Sequence, residues 1–186
     1  MKREKSRVCP VELAGKLDNK IRRLIQNPGK ILAPYITEGM KVLDIGCGPG
    51  YFTIEIAKII GNKGKVFAMD LQEGMLQKIC DKIKGTELEN RIFLIKNERD
   101  SFGIPEKVDF ILAFYMVHEV PDKEALFKGL KENLKKNGQL LLVEPKLFHV
   151  TRKEFKLTIE AAKKCGFETR KGPKLLFSFS AILKNT

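Results

Sequence analysis

The run Val42-Leu43-Asp44-Ile45-Gly46-Cys47-Gly48-Pro49-Gly50 constrains this chain more than any other. A short apolar stretch, read as a strand over 41–45, breaks into three glycines at alternate positions. Phe52, Ile56 and Ile59 or Ile60 then recur at helical spacing until Gly61-Asn62. Glycines so placed let the backbone turn tightly and approach a ligand, and the helix that follows aims its N-terminus at that ligand.

The rest of the chain keeps the alternation. Strands are predicted over 65–69, 91–95, 108–113 and 139–143. Between and after them, three sets recur at helical spacing: Leu76, Ile79 and Ile83; Leu126, Leu130 and Leu134; and Phe155, Ile159 and Ala162. Asp122 stands where an N-cap belongs, and Asn137-Gly138 is read as the stop of the middle helix. Such alternation predicts an α/β, doubly wound, Rossmann-like sheet with helices on both faces. Near the C-terminus the runs 167–170 and 175–183 are separated only by Lys171-Gly172-Pro173-Lys174. Four residues are too few for a parallel crossover, so these strands should pair antiparallel. The expectation is a seven-stranded, mostly parallel sheet closed by an antiparallel hairpin. Residues 1–40 precede the first strand and hold two short predicted helices, near 12–25 and 28–36. They read as an N-terminal helical cap over the C-terminal edge of a 41–186 domain.

A second landmark narrows the ligand. Asp70 directly follows the second strand, twenty residues past Gly50. In a nucleotide-binding sheet a carboxylate there accepts hydrogen bonds from the two ribose hydroxyls, so loop and acid together predict an adenosine-containing ligand. Nicotinamide-type loops follow G-x-G-x-x-G, whereas this one is G-x-G-x-G with Asp44 two residues ahead of the first glycine. An acid beside the loop suits a ligand bearing an ammonium and a sulfonium, and suits a pyrophosphate poorly. That spacing disfavours a nicotinamide oxidoreductase.

The loop resembles motif I of the class I S-adenosylmethionine-dependent methyltransferases, and the resemblance extends over residues 41–186. Phe93-Leu94-Ile95-Lys96-Asn97-Glu98 matches the end of the family's third strand, where an Asp usually meets the adenine amino group. Asn97 stands there instead and would accept from that group through its side-chain oxygen, without the charge. Val108 to Ala113 matches the fourth strand, and Val117-His118-Glu119-Val120-Pro121-Asp122 is similar to the L-H-H-hydrophobic-P-D segment that often follows it. The resemblance implies transfer of the S-methyl group to a nucleophile, leaving S-adenosylhomocysteine. It also implies a cofactor site drawn from Asp44, Gly46, Cys47, Gly48, Gly50, Asp70, Leu71, Asn97, Glu98 and Ala113. The overall pattern is nearest the group around the quinone-biosynthesis and other small-molecule methyltransferases.

Methyl transfer is an in-line displacement whose leaving group is already good, so the protein chiefly aligns the partners and excludes water. A base helps where the acceptor must lose a proton. His118, just beyond the fourth strand, is the candidate base, with Tyr115 and Glu119 as neighbours that orient an acceptor. Glu144 and His149 are weaker candidates. Cys47 has no identifiable base beside it and is read as packing, and Cys9 alone does not match the several cysteines that arsenite methyltransferases use. The fourth strand is followed by Ala113-Phe114-Tyr115-Met116, not by N-P-P-Y or D-P-P-Y, which disfavours the amino-methylating families built on that motif. The lack of a cysteine after the fourth or fifth strand disfavours cytosine-C5 chemistry through a thiolate.

Composition bounds the remainder. A 186-residue chain that is 43% hydrophobic and 31% charged suits one globular domain. Its longest apolar run, Phe110 to Val117, is too short to span a bilayer, and no apolar stretch follows the basic Met1 to Lys5. A cytoplasmic protein is expected. Cys9, Cys47, Cys80 and Cys165 form no C-x-x-C pair and have two histidines to help them, which points away from a metal site or a disulfide framework. The formal net charge is +12. Residues 1–30 hold nine Lys/Arg against three Asp/Glu, and residues 146–186 hold ten against three, around a nearly neutral middle. A small-molecule methyl acceptor is the expectation. The basic ends keep open an RNA- or protein-modifying methyltransferase, and a non-catalytic adenosine-ligand-binding module is the third reading.

Overall fold

Val42-Leu43, Val66-Phe67 and Ile111-Leu112 are apolar at successive positions, as strands covered on both faces require. In the computed structural model, which describes residues 26–97, 102–146 and 150–186, they lie at the centre of a seven-stranded sheet. The strands are β1 (Lys41–Ile45), β2 (Lys65–Asp70), β3 (Ile92–Lys96), β4 (Val108–Phe114), β5 (Leu134–Pro145), β6 (Phe167–Lys171) and β7 (Ser178–Asn185). Their order is β3-β2-β1-β4-β5-β7-β6. β1 to β5 pair parallel, while β7 runs antiparallel to both β5 and β6. The expected mostly parallel sheet with a closing antiparallel pair is therefore the one observed. β7 begins three residues later than predicted, because Leu175 to Phe177 turn before pairing starts: Ser178 N donates to Leu175 O and Phe177 has φ +58°.

Side-chain parity divides the core. Val42, Val66, Ala68, Phe110, Leu112, Leu141, Val143 and Ile182 face one way, against α2 (Thr53–Ile60) and α3 (Glu73–Ile83). Leu43, Ile45, Phe67, Met69, Ile111, Ala113, Leu140 and Leu142 face the other, against α4 (Lys123–Asn133) and α5 (Arg152–Lys164). Asp122 caps α4 by accepting from Ala125 N at 2.9 Å, as its position predicted. Thr151 and Glu154 form a reciprocal capping box at the start of α5.

On the α2/α3 face those two helices serve β1, β2 and β3, leaving apolar side chains of β4, β5 and β7 to be covered. The segment before β1 covers them. Asn27 caps a one-turn helix α1 (Pro28–Leu32), and Ile31, Leu32 and Ile36 join the cluster holding Phe110, Leu141 and Ile182. The Tyr35 ring stacks on Phe110 with centroids 5.9 Å apart. The predicted helix near 28–36 is thus shorter than its reading and lies on the sheet face, with Gln26 reaching the C-terminal edge. The other predicted helix, 12–25, lies outside the described residues.

The middle helix also ends earlier than predicted. Leu134 belongs to β5, opposite Val108 of β4, and is fully buried. The register then shifts before Gln139 meets Phe110, and Asn137, with φ +64°, lies in that bulge instead of closing the helix. A residue 51 positions away supplies the stop: Asn185 Nδ2 donates to Leu134 O at 2.8 Å and also reaches the carbonyls of Lys131 and Lys135. Asn185→Ala should cost about 1–2 kcal/mol through these unpaired carbonyls, read as a lowered urea midpoint at constant slope. A midpoint equal to wild type would mean water replaces the amide.

Candidate active site

Both landmarks of the sequence meet at the C-terminal edge of the central strands. Gly46 N and Cys47 N donate to Met69 O at 2.8 and 3.0 Å, carrying the β1–β2 pairing past the end of β1 and into the glycine loop. Gly46 and Gly50 are glycines for the protein's own sake. A Cβ at Gly46 would lie 2.7 Å from Met116 Cβ, and one at Gly50 would lie 2.8 Å from Ile79 Cγ1. Gly48 differs. Its φ is +53°, and a Cβ there would meet nothing within 4 Å. The loop therefore presents bare backbone to open space at Gly48, the cradle that a ligand lying across the loop needs.

Asp70 ends β2 beneath that cradle. Its Oδ2 accepts from Gly48 N and its Oδ1 from Gln72 N, each at 2.9 Å. Burial pushes the carboxyl above its ordinary pKa, and the backbone N–H groups of Gln72, Gly48 and Leu71 pull it back. With three backbone donors on its two oxygens, the carboxylate keeps a lone pair for a hydroxyl donor. Asn97 follows β3, with its N donating to Asp70 O at 3.0 Å, so the ends of β2 and β3 are tied together. Leu71 is 42% exposed beside them, whereas Ala113 is fully buried below the edge in β4. A bare loop, a carboxylate at the end of β2 and an amide at the end of β3 fit an adenosyl group.

Asp44 is 2% exposed and points to the first turn of α2, where Thr53 Oγ1 donates to its Oδ2 at 2.6 Å. The carboxylate thus sits at a helix N-terminus, which favours its charge. Burial pushes the Cys47 thiol well up, and Asp44 and Asp70 push it further, so it is no nucleophile at neutral pH. Glu98, Cys9 and His149 lie outside the described residues.

The other half of the edge is built from β4, β5 and β7. Past Phe114 the chain makes a 3-10 turn, Val117–Glu119, that carries His118 and Glu119. Glu144, near the end of β5 and 1% exposed, reaches this turn twice: Oε1 accepts from Val117 N at 3.0 Å, and Oε2 lies 2.7 Å from His118 Nδ1. A buried carboxylate accepts, so the neutral ring carries its proton on Nδ1 and its lone pair on Nε2. Burial lowers the His118 pKa, but the hydrogen bond and charge of Glu144, helped by Glu119, leave it above the ordinary histidine value. The sequence singled out both residues as separate candidates. It did not show that they form a pair, because 26 positions separate them.

Tyr115 stands in the left-handed region, φ +62°, rare for a bulky residue. Its N donates to Val143 O, its ring packs on Phe114 at 4.5 Å, and its hydroxyl accepts from Gln26 Nε2 at 2.6 Å and meets Ser178 Oγ at 2.5 Å. Tyr51 completes the group by donating to Gln26 O. Gln26, Tyr51 and Ser178 carried no signal in the sequence, since each acquires its place only through partners far along the chain.

Sheet order, glycine loop and edge acid together define a class I S-adenosylmethionine-dependent methyltransferase domain. The family model described as Methyltransferase domain matches residues 36–175, and the chain belongs to that family. Its cofactor is S-adenosylmethionine. A curated relative, the ubiquinone/menaquinone biosynthesis C-methyltransferase UbiE of Shewanella sp. (strain W3-18-1), is 29% identical over 107 residues, 57% of this chain and 43% of that protein. The chain thus spans less than half the length of that relative. Among solved structures, a SAM-dependent methyltransferase from Aquifex aeolicus superposes with a TM-score of 0.85 at 24% identity, covering 96% of this chain and all of that one. A TehB-like SAM-dependent methyltransferase from Corynebacterium glutamicum gives 0.70 at 16% identity, covering 94% and 93%. Both share the fold.

Proposed function

We propose that this domain transfers a methyl group to a small molecule whose attacked atom gives up a proton to His118. The observation that carries this reading is the His118–Glu144 pair, at the edge where β4 and β5 end, at the turn whose Met116 packs against Gly46 of the glycine loop. S-adenosylmethionine, when bound, supplies an electrophilic methyl on a sulfonium that departs as a thioether. Gly48 offers it bare backbone, Asp70 accepts from its ribose hydroxyls, and Asn97 accepts from the adenine amino group. Gly46 and Gly50 hold the loop's shape, Leu71 walls the site while the fully buried Ala113 only supports it from within β4, and Asp44 adds a negative potential on the side where the ammonium and sulfonium lie. On the acceptor side, Glu144 holds the imidazole in one tautomer so that Nε2 takes the proton. Tyr115 and Glu119 orient the acceptor, and the half-buried Tyr115 and Met116, backed by buried Phe114 and Val117, exclude water. The relatives named for ubiquinone/menaquinone biosynthesis C-methyl transfer support a small-molecule acceptor.

A second reading, an RNA- or protein-modifying enzyme, rests on the ten basic against three acidic residues of 146–186. Methyl-labelled S-adenosylmethionine, incubated with the protein and fractionated cell extract, separates the readings. Label is expected in the small-molecule fraction. Label in polymer alone sinks the first reading, and nuclease against protease then names the polymer class. The absence of label above a protein-free control leaves a binding module. The base has its own signature. His118 must be neutral to accept a proton, so kcat/KM should climb with pH through a pKa above the ordinary histidine range and then level. A profile flat across that range removes His118 from the role.

A further inference from the structure

We propose that the β6–β7 loop and the basic residues around it form a docking surface for an anionic lipid bilayer, placed beside the acceptor half of the site. Leu176 and Phe177 are adjacent and 57% and 53% exposed, an unusual outlay of apolar surface on one turn. Phe177 holds its outward position in the left-handed region at φ +58°, and its carbonyl accepts from Lys146 N at 2.8 Å, pinning the turn to the end of β5. The loop is braced on its other side too. Ser180 Oγ donates to Pro173 O at 2.5 Å, and Gly172 N donates to Ser180 O. The apolar tip is therefore presented ready-made, with little left to order on contact.

Topology brings the charges to the same edge. β5 ends at Pro145, opposite Ser178 where β7 begins; β6 ends at Lys171, and α5 begins at Arg152. Lys146, Arg152, Lys153, Lys171 and Lys174 consequently belong to segments that end or begin at the edge carrying Leu176 and Phe177, with Glu154 held in its capping box. An apolar tip on an edge that also gathers basic residues matches a membrane interface carrying negative headgroups. Each signal alone is weak, and the two together are what interfacial binding requires. RNA would use the charge but has no use for an exposed leucine. Among the described residues no helix is long and apolar enough to cross a membrane, so the contact lies on the surface. The residue after the tip, Ser178, meets the Tyr115 hydroxyl, three positions from His118. A lipophilic acceptor would then enter the site directly from the bilayer, a last step that rests on the small-molecule reading above.

The test is sedimentation of the full chain with vesicles of phosphatidylcholine alone or with phosphatidylglycerol added. Wild type should sediment with the anionic vesicles and stay in solution with the neutral ones. Partition should fall about tenfold or more in Leu176→Ser/Phe177→Ser, and likewise in Lys171→Glu/Lys174→Glu, with S-adenosylmethionine binding unchanged in both. Failure of wild type to bind anionic vesicles overturns the proposal. So does partition unaltered in both variants, or RNA binding lost in the lysine variant while vesicle binding is kept. Vesicle binding by a chain that labels only polymer would sink the small-molecule reading and leave the docking surface standing.

Discussion

Glu144→Gln should lower kcat by about 10²- to 10⁴-fold with the fold and the cofactor affinity retained. Two acceptor contacts on one buried carboxylate set this expectation. Oε1 takes the Val117 N–H and Oε2 takes the His118 Nδ1–H. An amide in the same place has one accepting end and one donating end. With its oxygen on Val117 N, its NH₂ faces His118 Nδ1 and donates, so the ring proton is driven to Nε2 and the lone pair proposed to take the acceptor's proton is lost. His118→Ala should match this loss, and the double variant should be little worse than either, since two members of one unit do not add. Single-turnover rates measure all three, and an unchanged rate in Glu144→Gln would reduce Glu144 to a structural carboxylate.

The pH behaviour of the same variant separates positioning from packing. Glu144 raises the His118 pKa, so its replacement should carry the residual acid limb to lower pH. Stability follows the same linkage. A histidine whose folded pKa is raised stabilises the fold fully below the unfolded-state pKa, and the contribution fades as pH rises through the folded pKa. Wild type should lose that increment on going upward through this window, and Glu144→Gln should lose less of it.

Asp70→Ala should weaken S-adenosylmethionine binding by about 1–3 kcal/mol, roughly 5- to 150-fold in Kd, without abolishing the fold. Removing the carboxylate takes away the acceptor proposed for the ribose hydroxyls, and it also leaves Gly48 N and Gln72 N without their 2.9 Å partner. The loop that shapes the cradle is thereby loosened as well. Calorimetric titration reads the affinity and a thermal scan reads the fold. An unchanged Kd would mean that Asp70 anchors the loop and nothing more.

The glycine loop and the acid after the second strand were legible in the sequence because their signals are local. The glycine loop and Asp70 follow β1 and β2 directly, and neighbouring parallel strands bring such positions to one edge. Local signals also explain the misreadings. Leu134 continues the i, i+4 spacing of α4, so periodicity assigned it to the helix, yet Asn185 ends that helix through the Leu134, Lys131 and Lys135 carbonyls. Leu175 to Phe177 look like strand by composition, yet they turn, because bonds to Lys146 and Ser178 hold them.

What the sequence determined by itself is the alternation of strands and helices, the glycine loop with the acid that follows β2, and the antiparallel end of the sheet. Periodicity, the left-handed backbone open to glycine and the shortness of one linker are properties of neighbouring residues. Tertiary structure alone decided that His118 and Glu144 pair, that Tyr115 meets Gln26 and Ser178, that the segment before β1 covers β4 and β5, and that β7 enters between β5 and β6. Those facts depend on sheet order and register between segments far apart in the chain. A slip of one residue in β5 would carry Glu144 to the opposite face of the sheet, away from His118.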